Sequence, residues 1–285
     1  MVGIAKTAHS IEETSVGHAK SSAAWLDLHF KAAQAQYLEM LASVGIQPSM
    51  HVLDAGCGSG SFLPFISDRV GPSGKVHAVD IAKENIADVE ESVEAGSFLC
   101  PVQAELSSII SLPYADNTFD AIWCANVSEY LTDTELSASL EEFSRVVRPG
   151  GLIAIKEFDG RAMTFYPGNP QILKRFILAR YPTTSSIQGQ YRAISTKYRM
   201  EELGWIDVRQ QTTLVEHSQP LGSVERAFLA DVFTGWSAIA GELDLPSEDK
   251  QFWQEQEDPD APTHLINQPD VFWREGVILA IGQVD

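Results

Sequence analysis

The stretch Val52-Leu53-Asp54-Ala55-Gly56-Cys57-Gly58-Ser59-Gly60 constrains the fold of this chain more than any other. A short apolar run ending on an acidic residue leads into a glycine-rich turn, and a helical pattern over residues 61–70 follows until Gly71 and Pro72 stop it. Strand, turn and helix in that order open a parallel α/β unit, because parallel strands need a crossover connection. Glycines let the backbone bend tightly and let a ligand approach where a Cβ would collide, while the helix N-terminus offers N–H groups and positive partial charge. The turn therefore predicts a ligand with an anionic end. A dinucleotide fingerprint would place its third glycine where Ser61 stands, which counts against NAD.

The unit repeats downstream. Strands are predicted at residues 51–55, 76–80, 98–103, 119–124 and 152–157, with helices at 83–93 and 134–147. Their short apolar runs suit strands buried on both faces. Ahead of them, Trp25, Leu28, Ala32, Ala35, Leu38 and Leu41 recur at helical spacing and predict one amphipathic helix over residues 21–44. Beyond Asp159 the pattern changes. Asn169 and Pro170 open a helix that Pro182 closes, and a second helix is predicted over residues 191–203. A strand at 206–215, a helix at 224–239 and a last strand at 271–284 complete the reading, with the last strand paired to 206–215. The fold class expected is a Rossmann-like, doubly wound, mostly parallel seven-stranded sheet with an antiparallel last strand and an inserted helical cap. The domain reading is an N-terminal helical lid (1–50) and a core (51–285) with cap insertions at about 160–204 and 220–268.

Composition narrows the partners. A formal charge of −19, with an acidic patch over residues 242–260 and no basic run, argues against nucleic acid. Cys57, Cys100 and Cys124 show neither zinc spacing nor an even disulfide count, so no metal is expected and a reduced, cytoplasmic setting fits. No segment reaches the roughly 18 apolar residues of a membrane span, and residues 1–20 lack a signal-like apolar core, so the protein is expected to be soluble, unexported and off the membrane. Association into a homo-oligomer is left open.

A second acidic residue ends the next strand, in Val76-His77-Ala78-Val79-Asp80-Ile81. A carboxylate about 20 residues or more beyond a glycine turn is placed to grip a ribose diol, so Asp80 reads as a nucleoside ligand. Three more segments follow: Leu112-Pro113-Tyr114-Ala115-Asp116-Asn117-Thr118-Phe119-Asp120, Trp123-Cys124-Ala125-Asn126-Val127, and Arg148-Pro149-Gly150-Gly151-Leu152. In this order, over roughly residues 51–158, the chain resembles the class I S-adenosylmethionine (SAM)-dependent methyltransferases. Within that class it resembles the group holding ubiquinone and menaquinone biosynthesis enzymes and many natural-product methyltransferases.

The resemblance implies SAM as cofactor, S-adenosylhomocysteine as product and a small organic metabolite as methyl acceptor at O, N or C. It implies that Asp54, Gly56 and Gly58, with Cys57 and Gly60 in the same turn, hold the methionyl end. Asp80 would hold the ribose, Ile81 would pack on adenine, and Ala104, Glu105 and Leu106 would meet the adenine amine. Asn126 and Val127 would lie beside the methyl group, and His18, Lys20, Ser22 and Trp25 would belong to a lid. If the acceptor must lose a proton, the candidate bases are His217, Glu157 and Tyr130, the last standing where the family often has histidine, with Asp159 and Tyr166 as further candidates. Bland readings stand beside these: the cysteines as core residues, the 148–151 segment as a turn, and Phe228, Phe233 and Trp236 as packing. Other functions weighed are a SAM-binding cyclase or rearrangement enzyme, a non-catalytic SAM-binding protein, and the disfavoured NAD-dependent oxidoreductase.

Overall fold

The structure, a computed structural model, describes residues 23–285. Among them seven strands form one sheet: β1 (His51–Ala55), β2 (Lys75–Asp80), β3 (Val102–Leu106), β4 (Phe119–Ala125), β5 (Val147–Tyr166), β6 (Ile206–Ser218) and β7 (Phe272–Gln283). Their order is β3-β2-β1-β4-β5-β7-β6. The pairs from β3 through β5 are parallel, and β7 runs antiparallel to both β5 and β6. The fold is thus the doubly wound, mostly parallel sheet with an antiparallel last strand. From β1 the chain winds outward to β2 and β3, then returns to β4 on the other side. The order reverses between β1 and β4, and a crevice opens at the carboxyl ends of strands at such a switch point.

Both faces of the sheet are covered. On one lie α1 (Ala23–Ala32), α2 (Gln34–Val44), α3 (Leu63–Val70) and α4 (Lys83–Glu94), whose Tyr37, Met40, Leu41, Ile66 and Val89 bury against Val52, Ala78 and Trp123. On the other, α5 (Asp133–Val146) places Leu136, Leu140 and Phe143, three and four apart, against Phe119, Ile122 and Ile153. Thr132 and Glu135 close a reciprocal capping box at its start, and Asp133 and Glu135 add negative charge to its first turn.

The remaining helices are α6 (Pro170–Arg180), α7 (Ser185–Arg192), α8 (Thr196–Glu202), α9 (Ser223–Glu242) and α10 (Ser247–Gln254). Phe176, Phe228, Phe233, Trp236 and Trp253 form a third apolar cluster with Phe165 and Trp273 from the ends of β5 and β7. Each such fully buried aromatic contributes about 2–3 kcal/mol by leaving water. Arg175 of α6 reaches Asp249 of α10 with two hydrogen bonds, tying the helices together.

Several expected boundaries shift. The helix predicted over 21–44 breaks at Ala33, whose φ of −117° leaves the helical region, giving α1 and α2. The strand predicted over 98–103 begins at Val102, because the Ser67 hydroxyl accepts the amides of Leu99 (2.7 Å) and Cys100 (3.1 Å) and Pro101 has no N–H. β5 runs to Tyr166 rather than ending at 157, since β7 continues to pair with it through an irregularity between Asp159 and Thr164. The helix predicted over 191–203 is two helices, α7 and α8, joined by a 3₁₀ turn at Ala193–Ser195. Residues 1–22, with His18, Lys20 and Ser22 of the expected lid, lie outside the described residues. No helix among the described residues is long and apolar enough to cross a membrane, and no group of His, Cys, Asp and Glu among them could hold a metal ion.

Candidate active site

The glycine turn sits at the switch point, between the ends of β1 and β4. Gly56 and Gly58 hold φ of +78° and +52°. A Cβ on Gly56 would come within 2.3 Å of Val127 Cγ2, and one on Gly58 within 2.9 Å of Leu26 Cδ1. Side chains from the end of β4 and from α1 therefore close on the turn from two sides, and only glycine leaves room for them.

Asp80 ties the turn to β2. Its Oδ2 accepts the Gly58 amide at 2.9 Å, and its Oδ1 accepts the Ala82 amide at 2.8 Å and Asn85 Nδ2 at 3.1 Å. A carboxylate offers about four lone-pair sites, so roughly one remains for a further donor. The amides of Gly56 and Cys57 both donate to Val79 O, and that of Gly60 to Cys57 O. This corrects the expectation of free N–H groups facing a ligand: three of these four amides, those of Gly56, Cys57 and Gly58, dock the turn onto β2, the fourth, that of Gly60, closes the turn on itself, and the turn offers its shape instead.

Beneath the turn lies Asp54, only 2% exposed, with an Oδ2 that has no hydrogen-bond partner. Burial, reinforced by the nearby charge of Asp80, pushes its pKa up to about 8. A buried carboxyl with a free oxygen is satisfied by a cationic donor such as an ammonium. Around the end of β2 the surface is apolar and open, with Ile81 55% and Leu106 57% exposed, while Ala104 is half-buried and Glu105 exposed beside them. Such a pair of exposed apolar side chains suits a flat heteroaromatic ring. Cys57, Cys100 and Cys124 are all buried and free. Burial holds the Cys57 thiol well above the usual thiol range, so it is no thiolate nucleophile.

Across the crevice, β4 ends at Ala125, and Asn126 follows with a φ of +57°. Its side-chain oxygen accepts Lys156 Nζ at 2.8 Å. Lys156 is fully buried and its Nζ lies 3.7 Å from the centre of the Tyr37 ring. Burial pushes the ammonium down in pKa and the adjoining Glu157 carboxyl up. Glu157 Oε1 accepts the amides of Val127 (3.1 Å) and Ser128 (2.7 Å), so it fixes the loop after β4.

The candidate bases do not form one group. Tyr130 lies on the 3₁₀ turn Ser128–Tyr130, and burial, then Glu129, raise its phenol well above the ordinary range. His217, near the end of β6, is buried beside Phe228 with Nε2 lacking a hydrogen-bond partner, and burial lowers its pKa. Asp159 caps the backbone of Arg161 at 3.0 Å, and Tyr166 is exposed at the far end of β5. Trp25 of α1 stacks on His29, and Phe228 lies beside it at 5.9 Å. Sequence reasoning missed His29 and Glu275, which meet near His217. The period of α1 showed His29 one turn beyond Trp25, but nothing in the sequence showed that α1 lies against β7.

Residues 52–151 match the family model for a methyltransferase domain. Demethylmenaquinone methyltransferases of Symbiobacterium thermophilum and Bacillus pumilus are 30% and 32% identical over 40% of this chain each, which corresponds to 44% and 47% of their own lengths. Methyltransferase GfsG of Streptomyces halstedii is 26% identical over 56% of each chain. The chain thus spans about half the length of the relatives it matches. Among solved structures, a Bacillus halodurans protein superposes with a TM-score of 0.57 at 14% identity, over 87% of this chain and 98% of that one. The YcgJ protein of Bacillus subtilis does so with 0.54 at 18%, over 88% and 99%. At these identities the likeness is one of fold.

Proposed function

We propose, from the premise that residues 52–151 match a methyltransferase domain, that this protein transfers the methyl group of SAM to a nucleophile of a small organic metabolite. The buried Asp54, with its unpartnered Oδ2 under a turn that tolerates no Cβ, carries this reading. It is the right receptor for the ammonium of an amino-acid end. The nucleoside end fits the remaining features: Asp80 keeps one accepting site for a ribose hydroxyl, and Ile81 and Leu106 offer apolar surface to adenine. Asn126 and Val127 stand beside the turn from the β4 side.

SAM, when bound, supplies a methyl group on a positively charged sulfur, so the donor arrives already reactive. What remains for the protein is alignment and exclusion of water, and positioning alone is worth roughly 7–11 kcal/mol of barrier. Leu26 over Gly58 and Val127 over Gly56 are the walls that do this, with α1 acting as part of a lid. The apolar cluster of α6, α9 and α10 supports an enclosed, small acceptor of natural-product type.

The experiment is incubation of purified protein with SAM carrying an isotopic methyl group and a metabolite extract, followed by mass spectrometry. Label in a small molecule supports the reading. Label only in macromolecules, or none while S-adenosylhomocysteine binds, refutes it.

A further inference from the structure

We propose that the site selects its ligand by a proton exchange: Asp54 holds a proton in the free protein, and one proton leaves to solvent as the ligand's ammonium settles against the ionised carboxyl. The inference rests on the methyl-transfer reading above and adds to it the basis on which an amino-acid-bearing nucleoside is told from a plain one.

Asp54 has nothing around it to balance a negative charge. It stands one residue before the end of β1, 2% exposed, with no hydrogen-bond partner for Oδ2. The amides of the turn above it are spent elsewhere, those of Gly56 and Cys57 on Val79 O, that of Gly58 on Asp80 and that of Gly60 on Cys57 O. The titratable side chains whose charge is coupled to it are Asp80 from β2, Cys57 from the turn and Cys124 from β4. None of the three is a cation, and among the described residues Asp54 forms no ion pair. An anion at Asp54 would be dry and would face a second carboxylate, and each condition alone favours the protonated form. Burial first, and then Asp80, push its pKa up to about 8. Three donors already stabilise the Asp80 carboxylate, from Gly58, Ala82 and Asn85, so of the two acids it is Asp54 whose charge waits on a ligand.

An ammonium reverses the balance. Against Oδ2 it supplies both the missing donor and the opposite charge, and the pair forms a charge-assisted hydrogen bond. The O–H bond of the carboxyl breaks, its electron pair stays on oxygen and the proton passes to the buffer, while the ammonium keeps its own protons. A nucleoside without that ammonium meets a neutral carboxyl and gives it no reason to ionise. The amino-acid end is thereby read by charge as well as by the shape of the turn. Below the folded pKa the proton must be displaced for the ligand to bind, so affinity falls with pH, by about tenfold from pH 7 to pH 6.

The test is titration calorimetry of the full chain with S-adenosylhomocysteine in buffers of different ionisation enthalpy, whose heats differ in proportion to the protons released. With a folded pKa of about 8, the wild type should release about 0.9 proton per ligand at pH 7 and about 0.5 at pH 8. Methylthioadenosine, which keeps the adenosine and the thioether and lacks the amino acid, should release none and bind equally well at pH 6 and pH 7. Asp54→Asn should bind S-adenosylhomocysteine more weakly, with no proton released and no change in affinity between those pH values. A wild type that binds S-adenosylhomocysteine without releasing a proton overturns the inference and leaves the methyl-transfer reading standing. Equal release with methylthioadenosine, or from Asp54→Asn, overturns it as well, since the proton then comes from another group. Where the variant does not fold by circular dichroism, or either comparison binds too weakly to titrate, the wild-type proton count and the tenfold loss of affinity at pH 6 decide alone. Failure of S-adenosylhomocysteine to bind the wild type at all overturns the underlying reading, which tells the two failures apart.

Discussion

Replacing Asp54 with asparagine should flatten the pH dependence of this protein's stability. Asp54 has a folded pKa of about 8, whereas in the unfolded chain an aspartate titrates near 3.9. The folded state therefore keeps a proton that the unfolded state has lost between those values. The stability tied to that proton is whole below pH 4 and drains away as pH rises toward 8, at about 1.4 kcal/mol per pH unit. From pH 5 to pH 7 the wild type should lose about 3 kcal/mol through this one group. Asparagine has no proton to lose. Other shifted groups, such as Glu157, His77 and His264, act on both proteins and cancel in the comparison. The assay is urea denaturation of ligand-free wild type and Asp54→Asn at pH 5, 6 and 7. With an m-value of roughly 3 kcal/mol/M, the difference in midpoint between the two proteins should change by about 1 M over that range. Parallel pH dependences would refute the assignment of a retained proton to Asp54. The same substitution should weaken S-adenosylhomocysteine binding, because the neutral amide cannot become the anion that an ammonium calls for.

Further outcomes follow from individual contacts. Asp80→Ala should abolish S-adenosylhomocysteine binding measurable by calorimetry, since it removes the ribose acceptor and frees the Gly58 amide; unchanged affinity would refute the role. Gly56→Ala should both destabilise the protein, by about 2 kcal/mol or more in chemical denaturation, and block the ligand, because its Cβ would strike Val127 at 2.3 Å and φ is +78°. Thr132→Ala should cost about 1 kcal/mol of stability through loss of the α5 capping box and leave S-adenosylhomocysteine affinity unaltered. Glu157→Gln should leave turnover and ligand affinity nearly unaltered, as the amide oxygen can still accept from Val127 and Ser128; a large loss of turnover would refute a purely loop-fixing role.

The parallel half of the fold could be read from residues because its signals are local. Apolar runs of five or six residues, a glycine turn and capped helices each point to one structure, and the crossover requirement joins them. The second half could not be read as closely. The extension of β5 to Tyr166 depends on pairing with β7, more than 100 residues later, and no local pattern announces that. The delay of β3 to Val102 depends on a hydroxyl from α3 that captures two amides.

At the site the same division holds. The glycine turn and Asp80 lie in contiguous motifs, whereas the internal use of the turn's amides appears only once β2 is beside it. The encounter of His29 with Glu275 joins residues near opposite ends of the chain, brought together because α1 packs over the end of β7.

The central claim is that the turn after β1 cradles an amino-acid-bearing nucleoside. Titration calorimetry of the purified chain with S-adenosylhomocysteine and, in parallel, with NADH tests it most directly. One-to-one saturable heat with the first and none with the second is the predicted result. Saturable binding of NADH with no heat from S-adenosylhomocysteine would contradict it.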